Sequence, residues 1–257
     1  MPKARKEQKR FLVEGMRLVG DALAAGWGPS SLLYDAANLK RTEIGKELLY
    51  AISEPRLLDD YRGAIQEASE RAIAAASSTQ HSQGVVASFP IKEWAVTTTG
   101  NGAPLVLVCD DVQDPGNLGT TLRAAEAAGV WAVLLTRDCV DLYNPKVVRA
   151  GMGSHFRLPT FPELTWAQVS EMLRTIGVAS ERLFATEAEV AQSYDKVDWN
   201  ESSALIISNE AHGLSDGARE AAQARLISIP MLGDTESLNA AMAATVVLFE
   251  AARQRRG

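Results

Sequence analysis

The chain has 257 residues, a hydrophobic fraction of 46% and a formal net charge of −6 at pH 7. These values are typical of a globular protein with one large domain or two smaller ones. No apolar run reaches the roughly 18–20 residues that cross a bilayer, and Glu14 and Arg17 interrupt the apolar stretch that a secretory signal would need, so we expect a cytoplasmic protein.

The distribution of charge and the two cysteines bear on whether the chain binds nucleic acid and whether it holds a metal ion. Residues 1–99 carry 13 Lys and Arg against 12 Asp and Glu, whereas the remainder carries 13 against 20. A basic arm at the N-terminus can neutralise phosphates, although it can equally be a solvated tail. Cys109 and Cys139 lie in or beside strand-like runs, which indicates buried free thiols, and too few other ligands are present for a metal site. The basic residues of the arm are Lys3, Arg5, Lys6, Lys9 and Arg10.

The first hundred residues predict a small α/β unit. An apolar face at helical spacing predicts a first helix that ends at Gly26. Strands are predicted at SLLYDAA and GVVASFP, and helices over residues 43–52 and 59–76. The stretch AVTTTGNGAP is the best linker candidate, so we place the domain boundary between residues 98 and 99. The apolar face of the first helix consists of Phe11, Leu12, Met16, Val19 and Leu23.

After this linker, short apolar strands alternate with helices. This alternation predicts a mostly parallel sheet covered by helices on both faces, in which ligands bind beyond the carboxyl ends of the strands. The predicted helices are TTLRAAEAAG, NPKVVRAGMG, residues 165–176 and a long helix from about Asn239 to Arg255. The predicted strands are PLVLVCDDV, VWAVLLT, FRLPTF, RLFAT, SALIISNE and RLISIPM.

Three loops of this sheet carry residues that suit ligand binding. In DDVQDPGNLGTTLRAAEAAGV, glycines allow close backbone approach, Asn117 can cap the following helix, and Arg123 lies in its first turns. In LIISNEAHGLS, Glu210 follows a buried strand almost directly. In ISIPMLGDTESLNAAMAATVVLFEAARQ, Ser237 and Asn239 stand where a long helix begins. Each loop also has an ordinary interpretation, namely a tight turn, a local ion pair of Glu210 or an N-cap at Ser237.

Together the three loops resemble the SpoU (TrmH-type) branch of the SPOUT methyltransferases over roughly residues 104–257. DPGNLGTTLRAAEAAG, NEAHGLS and IPM followed by SLNAAMA reproduce that family's three signature motifs in order. The N-terminal part resembles the small ribosomal-protein-like RNA-binding domain often fused to this branch, through FLVEGMRLVGDALAAG and SSTQHSQGVVA.

The resemblance implies a substrate-binding domain over residues 1–98 and a methyltransferase domain with a trefoil knot over residues 99–257. It implies a homodimer with its site near the subunit interface, S-adenosylmethionine as cofactor and a ribose 2′-hydroxyl of RNA as acceptor. Ribosomal RNA is favoured over transfer RNA by analogy. Residues implied in cofactor binding are Thr136, Ser208, Ile229 and Leu238. Residues implied in RNA binding and catalysis are Asn117, Arg123, Glu210, Ser237 and Asn239.

The family's motif-one arginine is often described as a base, but a guanidinium stays charged because its pKa exceeds about 12. We therefore interpret Arg123 as a partner of the developing alkoxide and the adjacent phosphate. The chain departs from the family's pattern at Ser208, where glycine is usual, and at Gly151, where serine is more usual.

Two other functions remain open from the sequence. A catalytically inactive RNA-binding protein would have the same fold, although the polar set is intact. A nucleotide-dependent oxidoreductase would need G-x-G-x-x-G after the first strand, and DPGNLG has the wrong spacing.

Overall fold

The computed structural model divides into two compact units, the first comprising residues 1–93 with 143–157 and the second comprising 94–142 with 158–257. The predicted boundary between residues 98 and 99 did not anticipate that segment 143–157 belongs with the first unit. Most of the predicted linker's centre lies outside the described residues. The structure describes residues 2–61, 63–78, 82–96, 102–187, 190–209, 212–222 and 225–256.

The first unit contains a mixed four-stranded sheet in the order β1-β4-β2-β3, with β2 and β3 parallel and the other pairs antiparallel. Its strands are β1 (Arg10–Glu14), β2 (Ser31–Tyr34), β3 (Ile65–Glu67) and β4 (Val85–Pro90). Its helices are α1 (Pro2–Gln8), α2 (Met16–Ala24), α3 (Ala36–Leu39), α4 (Glu43–Ile52), α5 (Pro55–Asp60), α6 (Glu70–Ala76) and α8 (Pro145–Ala150).

Two predicted helices of this unit are right only over part of their length. The first begins only at Met16, because Gly15 has a φ of 101° that a helix does not accommodate. Phe11 and Leu12 instead belong to strand β1, which pairs with β4. The predicted helix over residues 59–76 is interrupted by β3. The helix over residues 43–52 and the strands at SLLYDAA and GVVASFP are confirmed.

Segment 143–157 completes the aromatic core of the first unit. The ring centroids of Phe11 and Tyr143 lie 4.8 Å apart, and Trp27 Nε1 donates to the carbonyl of Phe156 at 2.9 Å. The structure also explains the glycine at position 151, because a Cβ there would lie 3.0 Å from Cε1 of the buried His155. A serine, which is more usual at this position, would crowd that ring.

The second unit is built on a six-stranded sheet in the order β10-β8-β9-β5-β6-β7, with all pairs parallel. Its strands are β5 (Leu105–Asp110), β6 (Ala132–Thr136), β7 (Thr160–Leu164), β8 (Leu183–Thr186), β9 (Ser203–Ser208) and β10 (Leu226–Ile227). Its helices are α7 (Pro115–Ala127), α9 (Trp166–Ile176), α10 (Asp216–Ala222) and α11 (Ala240–Arg256).

Helices cover this sheet on both faces, as predicted. All six residues of β5 are buried, which is expected of a central strand with both faces covered. Val106 and Val108 pack with Val169 and Leu173 of α9, while α7 and α11 pack against each other and α11 contacts β9. The start of β7 was predicted four residues too early, and the short helix α10 was not predicted. Within the part of the chain that the structure describes, no helix has the length and apolarity to span a membrane.

Candidate active site

The carboxyl ends of three strands meet at a turn that follows β5. Asp110 at the end of β5 is the register partner of Ser208 at the end of β9. The next residue, Asp111, has a φ of 54°, its N–H donates to Thr136 Oγ1 at 3.0 Å, and its carbonyl accepts from Asn209 Nδ2 at 3.1 Å. This turn therefore connects β5 to the ends of β6 and β9.

Helix α7 begins directly after this turn. Asp114 is its N-cap, because its carboxylate accepts from the N–H of Asn117 at 2.8 Å, and Pro115 occupies the first helical position. The expectation that Asn117 caps this helix is therefore wrong. The side chain of Asn117 is instead available for contacts outside α7.

Asn117 contacts the start of α11. The Nδ2 of Asn239 donates to the Oδ1 of Asn117 at 2.9 Å, so the first and third sequence motifs meet. The Oδ1 of Asn239 accepts from the N–H groups of Ala241 at 3.0 Å and Met242 at 3.3 Å, which makes Asn239 the cap of α11. The interpretation of Ser237 as the N-cap is therefore wrong, and Ser237 is an exposed residue of the preceding loop.

Arg123 lies further along α7 on a different face. Six residues of helix place it about 9 Å along the axis from Asn117 and roughly 120° around it. Its side chain is exposed and forms no hydrogen bond or ion pair with any other described residue. The guanidinium is therefore available to an anion such as a phosphate.

The loop after β9 carries the second motif. Gly213, with a φ of 67°, donates its N–H to the carbonyl of Asn209 at 2.9 Å. At its far end, the carboxylate of Asp110 accepts from both the N–H and the hydroxyl of Ser215. Glu210 lies outside the described residues, so its expected role stays a prediction.

A cleft of about 950 Å³ opens at the carboxyl ends of β8, β9 and β10. Of the residues expected to bind cofactor, Ser208, Ile229 and Leu238 line this cleft, and Ser237 lines it too. Thr136 does not. It is 4% exposed, and its hydroxyl accepts from the N–H of Asp111, so it connects the end of β6 to the turn after β5.

The chemistry of the cleft fits S-adenosylmethionine. Its volume lies in the range of small-molecule sites. Apolar side chains such as Val190 and Leu238 suit the adenine ring, while the hydroxyls of Thr186 and Ser228 suit the ribose and the amino-acid end. Glu187 also lines the cleft and pairs with Arg219 on α10 at 3.2 Å.

The residues at the end of β8 also line the cleft, but they were not among the predicted site residues. Thr186 ends a predicted strand and Glu187 follows it directly, so the rule that ligands bind beyond the carboxyl ends of parallel strands could have identified them.

The two cysteines are free thiols next to this region. Cys109 is buried, and Cys139 donates from Sγ to the carbonyl of Cys109 at 3.2 Å. Burial raises the pKa of Cys139 to about 11 and raises that of Cys109 as well. Both therefore stay protonated near neutral pH and are poor nucleophiles.

Comparison with known proteins identifies the family. Residues 104–249 match the SpoU rRNA Methylase family, and residues 1–87 match the MRM3-like substrate binding domain. The chain belongs to the SpoU rRNA methylase family. It is an S-adenosylmethionine-dependent methyltransferase, as predicted.

Relatives span nearly the whole chain. The 23S rRNA (guanosine(2553)-2′-O)-methyltransferase RlmP of Bacillus subtilis is 34% identical, over 96% of this chain and 90% of the relative. The human mitochondrial rRNA methyltransferase 3 is 32% identical, over 98% of this chain and 70% of the relative.

Solved structures are similar over both units. A crystal structure of an RNA 2′-O ribose methyltransferase has a TM-score of 0.80 at 31% identity, over 100% of this chain and 93% of the other. The AdoMet-bound rRNA methyltransferase from Sinorhizobium meliloti has a TM-score of 0.79 at 30% identity, over 98% of this chain and 90% of the other. The predicted α/β fold with a mostly parallel sheet and helices is thus confirmed, and it matches SpoU methyltransferase structures.

Proposed function

We propose that this methyltransferase acts on a ribose 2′-hydroxyl in ribosomal RNA. The observation that carries the proposal is the hydrogen bond between Asn117 and Asn239, because it brings the first and third motifs together directly beside Leu238, a residue of the cleft. The names of the relatives support the choice of ribosomal RNA, since both act on it by name.

The cofactor would lie against the backbone around Ser208, Ile229 and Leu238. When bound, it supplies a sulfonium whose methyl carbon is open to attack and whose sulfur is a good leaving group. The task left to the protein is to aim the ribose oxygen in line with that carbon and to help remove its proton. Positioning of this kind supplies several kcal/mol of rate acceleration.

Arg123 is the cation that the first sequence motif offers to assist the ribose oxygen. Its guanidinium keeps its charge at any working pH, so it stabilises a developing alkoxide and the adjacent phosphate by donating hydrogen bonds. It does not act as a base. Ser237 and the amides of Asn117 and Asn239 are polar groups in or beside the cleft, and we assign them to orienting the ribose. We assign Glu210 to the same role because it belongs to the second sequence motif.

The reaction is tested by incubating the protein with S-adenosylmethionine carrying a tritiated methyl group and with deproteinised ribosomal or transfer RNA. A methyl group on a 2′-oxygen makes the adjoining phosphodiester resistant to alkali, so label must appear in alkali-resistant dinucleotides. We expect ribosomal RNA to be labelled in preference to transfer RNA. Label on a base, or none with any RNA, would overturn the proposal.

Arg123→Ala tests the assignment of the site. We expect this variant to lose methyl transfer while its fold and melting temperature stay unchanged, because Arg123 has no described partner to lose. Arg174→Ala is the matched control, since Arg174 is an exposed helical arginine of the same unit that pairs with Glu171. Methylation by Arg123→Ala near the wild-type rate would remove Arg123 from the site.

Calorimetry with S-adenosylmethionine separates an active enzyme from an inactive RNA-binding relative. We expect saturable binding at one site per chain. If the protein bound RNA but not the cofactor, the chain would be a catalytically inactive member of its family.

We also propose that the protein is a homodimer formed through α11. This helix exposes an apolar stripe at helical spacing, with Met242 57% and Phe249 42% exposed, and Leu238 continues it into the cleft. A second copy of the chain is the occupant we assign, because family resemblance implies a dimer with its site near the subunit interface.

Sedimentation tests the dimer. The double variant Met242→Glu and Phe249→Glu should sediment as a monomer, because it buries two charges in the interface. Tyr50→Glu is the control, because Tyr50 is 74% exposed on α4 of the first unit. A wild-type monomer, or a dimer unaffected by the α11 changes, would contradict this surface.

Three further assignments follow from the resemblance. We assign RNA binding to the first unit, whose match is to a substrate-binding domain. We assign a trefoil knot to the second unit and a cytoplasmic location to the enzyme.

A further inference from the structure

Asp110 is a buried carboxylate that was not among the predicted site residues. It is 1% exposed at the end of the central strand β5. A carboxylate in such a place is costly unless donors surround it. Asp110 Oδ2 accepts from the N–H of Ser215 at 2.8 Å, and Oδ1 accepts from the hydroxyl of Ser215 at 2.9 Å and from Trp166 Nε1 at 3.2 Å.

These contacts bridge three separate elements. Ser215 lies just before α10, and its hydroxyl also accepts from the N–H of Ala218 at 3.1 Å. Trp166 is the first residue of α9, and its Nε1 lies 3.1 Å from the same hydroxyl. One carboxylate therefore holds the ends of β5, α9 and α10 in a single hydrogen-bonded cluster.

The cluster adjoins the cleft without lining it. Gly213 and Leu214 line the cleft and immediately precede Ser215. At the other end of the same loop, Asn209 donates to the carbonyl of Asp111 at 3.1 Å. The neighbouring residues Asp110 and Asp111 thus hold Ser215 and Asn209, and Gly213 and Leu214, which line the cleft, lie between these two in the chain.

We propose that Asp110 is a positioning residue for the cofactor: its carboxylate fixes Ser215, and so sets the place of the Gly213–Leu214 wall. This rests on the proposed function, which assigns the cleft to S-adenosylmethionine. Asp110 itself touches neither reactant. We expect Asp110 to increase the affinity for the cofactor. If Gly213 and Leu214 already have the conformation that binds the cofactor, no conformational entropy is lost in ordering them on binding.

An amide cannot replace this carboxylate. Three donors converge on it, and a carboxylate only accepts. In Asp110→Asn one oxygen becomes an NH2 group, which would face either the N–H of Ser215 or the donors at Oδ1. The hydroxyl of Ser215 cannot relieve the conflict freely, because it is engaged by the N–H of Ala218.

The test is calorimetric titration of wild type and Asp110→Asn with S-adenosylmethionine, together with steady-state kinetics. We expect Kd and the cofactor KM to rise by about tenfold or more, with kcat at saturating cofactor changed by less than about threefold. If Asp110 had only a structural role, its substitution would lower the melting temperature without raising KM while leaving kcat nearly unchanged.

Gln254→Ala is the matched control for lost stability. Gln254 accepts from the N–H of Trp199 at 2.8 Å and donates to the carbonyl of Val197 at 3.0 Å, and none of these residues lines the cleft. We expect it to lower the melting temperature with no change in Kd. An equal rise in Kd in this control would overturn the proposal.

Two milder variants keep the test decisive if Asp110→Asn does not fold. Trp166→Phe removes one donor to the carboxylate, and Ser215→Ala removes another while keeping the backbone N–H. We expect Kd to rise in both, and more in Ser215→Ala. Wild-type affinity in both would refute the positioning role. If wild type itself does not bind S-adenosylmethionine, the proposed function fails instead, so the two failures are distinguishable.

Discussion

Asn239 performs two tasks with two different atoms, and this allows its roles in stability and activity to be separated. Its Oδ1 caps α11, and its Nδ2 holds Asn117. Asn239→Ala removes both contacts. Loss of the cap costs about 1 kcal/mol, and loss of the exposed amide hydrogen bond costs about 0.5–1 kcal/mol. We therefore expect a total near 2 kcal/mol and a fall in melting temperature of about 4–8 °C.

Asn239→Asp should behave differently. A carboxylate caps a helix N-terminus as well as an amide does and suits the helix dipole, so stability should stay within about 0.5 kcal/mol of wild type. The donor to Asn117 is lost, however. Asn117 then either loses this hydrogen bond or rotates its side-chain amide by 180°. We expect methyl transfer to fall by about tenfold or more in both variants, since positioning errors of this kind are costly.

The assay combines thermal melting with the tritium-transfer rate at saturating S-adenosylmethionine. Thr165→Ala is the control, because Thr165 caps α9 within a capping box and does not line the cleft. It should lose about 1 kcal/mol of stability with full activity. Near wild-type activity in Asn239→Asp would refute the importance of the amide link, and a melting temperature as low as that of Asn239→Ala would refute the capping role.

Three further predictions concern stability and reactivity. Gly217→Ala should destabilise the second unit by about 1–3 kcal/mol in chemical unfolding, because its Cβ would lie 2.3 Å from Cδ1 of Trp166; Gly20→Ala, which meets nothing within 4 Å in α2, should instead be neutral or stabilising. Cys139, with its pKa raised to about 11, contributes stability that is present below about pH 9 and is lost as the pH rises toward 11. Its alkylation by iodoacetamide at pH 9 should be at least about tenfold slower in native than in urea-unfolded protein, and equal rates would refute the burial argument. Arg255→Met should lower the free energy of unfolding by about 2–3 kcal/mol, because the guanidinium donates to backbone carbonyls just before β5 and β9. An unchanged midpoint of urea unfolding would show that these hydrogen bonds do not stabilise the fold.

The sequence determined the elements that depend on periodicity and the loops that depend on residue type. The buried strand β5, the helix over residues 43–52 and the long C-terminal helix follow from the spacing of apolar residues. Glycine and asparagine after the strands identified the loops at Asn117 and Asn239, which the structure brings together. These features are local, because the period of the side chains is set within a few residues.

Tertiary contacts decided the rest. Phe11 and Leu12 fit a helical face as well as a strand, and it is pairing with β4, some 75 residues later in the chain, that selects the strand. Asp110 stands in the first motif, but its role was not predictable from the sequence, because its partner Ser215 is 105 residues away and only the folded sheet places the two side by side. The sequence offered Ser237 as the cap of α11, and only the geometry showed that Asn239 caps this helix instead. Periodicity reports which face of an element is buried, whereas the partner of a buried group depends on how distant elements pack.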